Sequence, residues 1–311
     1  MLSRAAPSVP SGCLDGINAL RETLAEKFAL SSWAASGRGE MPIMQSATLP
    51  DGRSVFCVNA YEVDFGAHEI FSDDLAAHGL SLPADGTYLD VGANIGLFSL
   101  YLRDHCPQAR IIAFEPMPAV FAVLERNAAA LVPPASAVQL ALGAEPGWAE
   151  FDYFPGVAAL STQNRAVGQT MAAGLRQLLG GGATTGDDVQ DVLERSGATQ
   201  VAADTAFLDH LLRPETVQAQ IDTLSAQMQA LGIDRVDLLK IDTEGAEREV
   251  LAGLAEADWP KIQQLLVEVH LGEEVTEIMA EDLRSRGFRT SIGTHPLAQG
   301  GAAVFHIYAA R

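Results

Sequence analysis

The chain has 311 residues, 48% of them hydrophobic and 19% charged, which suits one large globular domain with a real core. Lys and Arg total 20 and Asp and Glu total 40, a formal net charge of −20 that repels phosphate backbones and anionic lipid and so argues against nucleic-acid and membrane partners. Cys13, Cys57 and Cys106 show no C-x-x-C spacing, no apolar run reaches the roughly 20 residues of a membrane span, and the N-terminus lacks a signal-peptide core; a reducing, cytoplasmic setting is expected.

In chain order, Leu14–Trp33 carries apolar residues at near-helical spacing, and 1–47 reads as an N-terminal helix and linker ahead of a domain over 48–311. Thr48–Val58 reads as a hairpin turning at Pro50-Asp51-Gly52. Strands are expected at Thr87–Val91, Arg110–Phe114 and Val138–Leu142, with helices at Ile95–His105 and Pro118–Leu131 between them. Residues 155–214 break the pattern with Gly180-Gly181-Gly182 and the polar run Thr184–Asp188, and read as an inserted lid or substrate region. The alternation returns with strand Val236–Ile241, helix Gly245–Ala255, strand Gln264–Val269 and helix Val275–Arg286. Phe288–Ser291 and Val304–Tyr308 close the chain as an antiparallel pair. Seven strands with right-handed helical crossovers imply a doubly wound, Rossmann-like α/β fold with a mostly parallel sheet.

Four strand ends carry chemistry. In Asp90-Val91-Gly92-Ala93-Asn94-Ile95-Gly96 an apolar strand runs through a glycine turn into a helix whose free N–H groups face any ligand. The spacing is not G-x-G-x-x-G, and an acid stands where a pyrophosphate would lie, which suits the cationic amino-acid end of S-adenosylmethionine and argues against a nicotinamide oxidoreductase. Glu115, before Pro116, ends the second strand where a carboxylate can accept both ribose hydroxyls. Asp242 and Glu244 end the strand Val236–Ile241, and Glu268 and His270 share one face at the end of the next.

Together, Asp90-Val-Gly-Ala-Asn-Ile-Gly, Ala113-Phe-Glu-Pro, Leu238-Leu-Lys-Ile-Asp-Thr-Glu-Gly-Ala-Glu and Val267-Glu-Val-His resemble the FkbM family of methyltransferases over about residues 55–155 and 215–275. The upstream pattern Asn59-x-x-Glu62-x-x-Phe65-x-x-x-Glu69-Ile70-Phe71 resembles the branch found in polyketide and nonribosomal peptide assembly lines. The resemblance implies a class I fold, S-adenosylmethionine as cofactor, and O-methylation of a hydroxyl on a natural-product intermediate, free or tethered to a carrier protein. The residues assigned to the cofactor are Glu69, Asp90, Gly92, Ala93, Asn94, Gly96, Glu115, Pro116, Leu142 and Asp242. His270 is the expected general base, oriented by Glu244 or Glu268. No metal is expected: Asp242 and Glu244 could bind Mg²⁺, but the sequence offers them no third ligand. The alternatives are a non-catalytic S-adenosylmethionine-binding or docking protein, and a methyltransferase acting on a sugar hydroxyl. His295, before Pro296, reads as a surface-loop residue.

Overall fold

A computed structural model describes residues 44–179, 205–294 and 304–311. The expected helix Leu14–Trp33, the glycine run 180–182, the polar run 184–188 and His295 lie outside the described residues. The hairpin forms as β1 (Gln45–Thr48) and β2 (Ser54–Cys57), and α1 (Ala60–Ser72) follows. Next come β3 (Thr87–Val91), α2 (Leu97–His105), β4 (Arg110–Phe114), α3 (Pro118–Ala130) and β5 (Ser136–Val138). β6 (Ala141–Leu142) and β7 (Gly147–Tyr153) precede α4 (Arg165–Leu179) and α5 (Thr205–Leu211). β8 (Glu215–Asp222) and α6 (Leu224–Ala230) lead to β9 (Leu238–Ile241), α7 (Glu247–Ala252), β10 (Gln264–Val269) and α8 (Glu273–Ser285). β11 (Arg289–Thr294) and β12 (Phe305–Ala310) complete the order.

Seven strands form one sheet in the order β11-β12-β10-β9-β3-β4-β5. All its pairs are parallel except those of β12, which runs antiparallel to β10 and β11. The central strands are buried at nearly every position because both faces are covered. Leu89, Val91, Leu239, Ile241, Val267 and Val269 point to one face, against Met228, Val250, Met279 and Leu283 from α6, α7 and α8. Tyr88, Ile111, Leu238 and Leu266 point to the other, against Phe98, Tyr101 and Leu102 of α2. The chain leaves β3 toward β4 and β5, then returns on the far side of β3 as β9 and β10. The β3/β9 junction is therefore the topological switch point, where ligands of such sheets bind at the carboxyl ends.

Two expectations need correction. Val138–Leu142 is not one strand: β5 ends at Val138, and Ala141–Leu142 pairs with β8 in a separate three-stranded sheet, β6-β8-β7. The helix expected over Gly245–Ala255 is only Glu247–Ala252, because Glu244 and Gly245 take positive φ angles of 53° and 101° and Gly253 caps it. The described part of the 155–214 segment is ordered against its own apolar cluster, where Phe154, Val157, Leu160, Leu208 and Leu211 pack with Tyr61 and Met171. No helix among the described residues is long and apolar enough to cross a membrane.

One glycine sets the geometry of the switch point. Gly92 has φ +75°, and a Cβ built on it falls 1.6 Å from the carbonyl oxygen of Asp242. The turn after β3 therefore lies directly on the end of β9, and the close approach is to backbone. Gly92→Ala should destabilise the fold by at least about 2 kcal/mol, from left-handed strain plus the clash. The shift of the urea midpoint measures it, with a neutral substitution at the exposed Glu145 as control.

Candidate active site

Two non-glycine residues among those described have positive φ, Asn94 at 48° and Glu244 at 53°, and they flank the switch point from either side. Strain of this kind persists only where surrounding bonds enforce it. At Asn94 those bonds are evident. Gly92 and Ala93 donate their N–H groups to the carbonyl of Phe114, 3.1 and 3.0 Å away. The Asn94 N–H donates to Glu115 Oε2 at 3.1 Å, while Glu115 Oε1 accepts from Met117 N at 2.8 Å. Glu115 thus closes the turn after β3 onto the end of β4, with Pro116 leading into α3. Burial pushes its carboxyl up to about 7, and the two N–H bonds offset that only in part.

Asp90 has no exposed surface. Its Oδ2 accepts from Ser99 at 2.9 Å and its Oδ1 lies 3.7 Å from Lys240 Nζ. It ties β3 to α2 and β9 beneath the turn. Gly96 starts α2, and Leu142 is buried at the end of β6 in the same core as β3 and β9. Glu69 comes in from α1: its carboxylate lies with Glu268 and His306, donor atoms within 4.8 Å of one another, and its charge acts on Asp242.

The ends of β9 and β10 gather the remaining residues. Lys240, buried, donates to Asp242 Oδ2 at 3.0 Å. His270 has a side chain only 1% exposed and is enclosed by three glutamates. Its Nδ1 lies 3.3 Å from Glu247 Oε1, and its Nε2 lies 3.2 Å from Glu244 Oε2 and 3.3 Å from Glu268 Oε1. Burial alone would lower the imidazole pKa, but the Glu244, Glu247 and Glu268 carboxylates outweigh it and raise it well above the usual histidine range. The residue expected as general base thus sits among three carboxylates that favour its charged form. Burial and the neighbouring Glu268 raise Asp242 to about 6. Glu244 is raised to about 8 by burial and by the charges of Asp242, Glu268 and Glu247, with His270 acting in the opposite direction.

Glu247 was overlooked at the level of sequence, as was Lys240. Glu247 is completely buried; its Oε1 accepts from Gly245 N at 2.8 Å and from Thr243 N at 3.3 Å, holding the strained 243–245 turn as well as His270. The signal was a glutamate immediately after a Gly-Ala turn, at the start of a helix. The ordered start of the 155–214 segment grips the same turn: Thr162 Oγ1 donates to the Glu244 carbonyl, Asn164 Nδ2 donates to the Gly245 carbonyl at 3.4 Å, and Val167 packs on Gly245. Donor atoms of Asp242, Glu268 and His270 also lie within 4.8 Å, so the fold supplies the third group the sequence lacked.

A doubly wound sheet of this strand order, with a strained turn at its switch point and acids at four strand ends, defines the class as a Rossmann-like α/β domain that binds its ligand at the carboxyl ends of the strands. Similarity to known proteins narrows it. Residues 90–290 match the methyltransferase FkbM domain. The chain is 33% identical over 259 residues to the 31-O-demethyl-FK506 methyltransferase FkbM of Streptomyces tacrolimicus, covering 83% of this chain and 94% of that one. It is 32% identical over 285 residues to the AMB antimetabolite synthetase AmbE of Pseudomonas aeruginosa, covering 89% of this chain but only 12% of the length of that synthetase. A solved structure, methyltransferase FkbM from Methylobacillus flagellatus KT, is similar at 12% identity and a TM-score of 0.44, over 74% of this chain and 44% of that one. The chain belongs to the FkbM methyltransferase domain family.

The His270 cage has a measurable consequence. In ¹⁵N-histidine NMR, His270 should remain doubly protonated at about pH 7.5, where an ordinary histidine is mostly neutral, and Glu247→Gln should lower its titration. Because the folded pKa is raised, its contribution to stability is complete below the unfolded value of about 6.5 and is lost as pH rises through the folded value. A neutral His270 at that pH would contradict the cage.

Proposed function

We propose that the chain is an S-adenosylmethionine-dependent O-methyltransferase acting on a hydroxyl of a polyketide- or peptide-type intermediate, free or bound to a carrier protein. The observation that most supports this reading is the pairing across the switch point of the Glu115-closed turn with the acidic cage around His270. A carboxylate at the end of β4 suits ribose hydroxyls, and the excess of carboxylates at β9 and β10 suits a cation. The buried Tyr153 hydroxyl, which has no hydrogen-bond partner among the described residues, fits the same group; Glu62 and Glu115 are among the charges that act on it. One relative is named as a methyltransferase of an O-demethyl compound and another as an antimetabolite synthetase, which supports a natural-product acceptor.

S-adenosylmethionine would be held by Glu115 and the Gly92–Asn94 turn and would supply an electrophilic methyl group. The chain's own contribution is positioning, exclusion of water and removal of the acceptor's proton. Glu244 suits proton removal better than His270. Its side chain is 18% exposed against 1%, and its carboxyl is raised toward neutrality. The imidazolium of His270 holds Glu244 and Glu268 apart from one another's charge, and Glu247 fixes the ring.

Binding followed by formation of S-adenosylhomocysteine on hydroxylated acceptors tests the activity; binding without turnover on any of them would favour a non-catalytic binding protein. Glu115→Ala should weaken S-adenosylmethionine and S-adenosylhomocysteine alike by about 1.5–3 kcal/mol, roughly ten- to a hundredfold, in calorimetry. Glu244→Gln should lower kcat by about 10²–10⁴ while leaving cofactor affinity nearly intact, and turnover should survive exhaustive EDTA treatment. Loss on EDTA with recovery by Mg²⁺ would instead assign Asp242 and Glu268 to a metal.

A further inference from the structure

Methylation of a hydroxyl releases one proton per turnover, and the site where it is released is enclosed. Glu247 and His270 have side chains 0% and 1% exposed, and Glu268 is 13% exposed. A continuous line of polar groups leads away from this cage across β12 to the C-terminal end of α1. Glu268 Oε1 faces His270 Nε2 at 3.3 Å, and its other oxygen, Oε2, faces His306 Nε2 at 3.3 Å. His306 Nδ1 lies 3.1 Å from the Tyr308 hydroxyl, which donates to Asp73 at 3.1 Å from Oδ1. Asp73 is half-buried between the exposed residues Ser72 and Asp74. Register explains the line: Glu268 on β10 is paired directly with His306 on β12, and Tyr308 is two residues on, so it shares the face of His306.

We infer that Glu268, His306, Tyr308 and Asp73 form a proton exit from the active site to solvent. The bonds fix a direction. Asp73 as a carboxylate can only accept, so Tyr308 donates to it. The Tyr308 oxygen then accepts from His306 Nδ1, and the contact of Nε2 with Glu268 Oε2 at 3.3 Å is a hydrogen bond once a proton lies between those two atoms. The line is thus set to receive a proton on the cage side and release one at Asp73.

The transfer balances. As the new O–CH₃ bond forms, the S–CH₃ electron pair stays on sulfur and the hydroxyl proton passes to Glu244. The Nε2 proton of His270 moves to Glu268, and the Glu244 proton replaces it. Glu268 passes its proton to His306 Nε2; the Nδ1 proton moves to the Tyr308 oxygen, and the Tyr308 proton moves to Asp73 and to water. One proton enters, one leaves, and every group returns to its starting charge; His306 is left with its hydrogen on Nε2, and it must regain the Nδ1 form before the next turnover. Two further groups border the line. Glu69 from α1 adds a carboxylate beside Glu268 and His306. His78 stacks on the Tyr308 ring, with centroids 3.8 Å apart and planes 6° from parallel, and its own Nδ1 faces Ser291.

The catalytic use of this exit rests on the proposed O-methylation; its existence does not, and can be measured without acceptor or cofactor. In ¹⁵N-histidine-labelled protein, exchange of the His270 ring protons with water should be fast for so buried a ring. Tyr308→Phe, which keeps the stacked ring and removes only the hydroxyl, should slow that exchange about tenfold or more while leaving the His270 titration midpoint in place. Asp73→Asn lies at the surface end and should slow it likewise, so the test stands even if Tyr308→Phe fails to fold. Unchanged exchange in a folded variant of either kind would overturn the exit. Slowed exchange in a protein that forms no S-adenosylhomocysteine would uphold the path and refute the methyl-transfer reading.

Discussion

The Lys240 ammonium, buried between Asp90 and Asp242, is the interaction on which the site depends. It lies 3.0 Å from Asp242, just beyond the end of its own strand β9, and 3.7 Å from Asp90 on the neighbouring strand β3. Burial disfavours the charge, yet the two carboxylates keep the lysine pKa raised. Such a triad gains little net stability over an apolar core, but removing one member leaves an uncompensated buried charge and is costly. It therefore acts as a registration device. β3 and β9 are locked side by side so that the Gly92 turn lies on the Asp242 carbonyl, and both halves of the site follow from that contact.

Around this anchor the charges are unbalanced. Asp242, Glu244, Glu247 and Glu268 gather within a few residues of the switch point, against Lys240 and His270. The raised carboxyls of Asp242 and Glu244 and the protonated imidazole are the same fact seen from three groups: the cluster retains protons because it lacks cations. A cationic methyl donor placed there would relieve the excess, and its arrival would make Glu244 a better proton acceptor at the moment one is needed. The chain's strongly acidic composition therefore has a local counterpart with a chemical use, beyond solubility.

The sheet was legible because its central strands are buried on both faces and so carry short apolar runs; Thr87–Val91, Arg110–Phe114 and Gln264–Val269 read directly from that pattern, with Asp90 and Glu268 as the interruptions near their ends. The small sheet β6-β8-β7 was not, because Gly147–Tyr153 and Glu215–Asp222 are covered on one side only and interleave polar residues with few buried ones. Helix α1 was hidden for a similar reason: only Val63 and Ala67 of its thirteen residues are buried. Motif spacing brought out Asp90, Glu115, Asp242, Glu244, Glu268 and His270 as strand-end groups. It could not give protonation, since that depends on Glu247 reaching His270 from α7, nor the placement of Glu69 beside His306 across two elements. His306 carried no local signal at all, because its partner on β10 is a matter of strand pairing alone.

The central claim, that the cage awaits a cation, is tested most directly by comparing two ligands that differ by one charge. Calorimetric titrations of S-adenosylmethionine and S-adenosylhomocysteine should be run in buffers of different ionisation enthalpy, between the values of about 6 and about 8 to which Asp242 and Glu244 are raised. The sulfonium compound should release protons on binding and bind more tightly as pH rises through this range. The neutral thioether should do so far less. Equal proton release and equal pH dependence for the two would contradict the account.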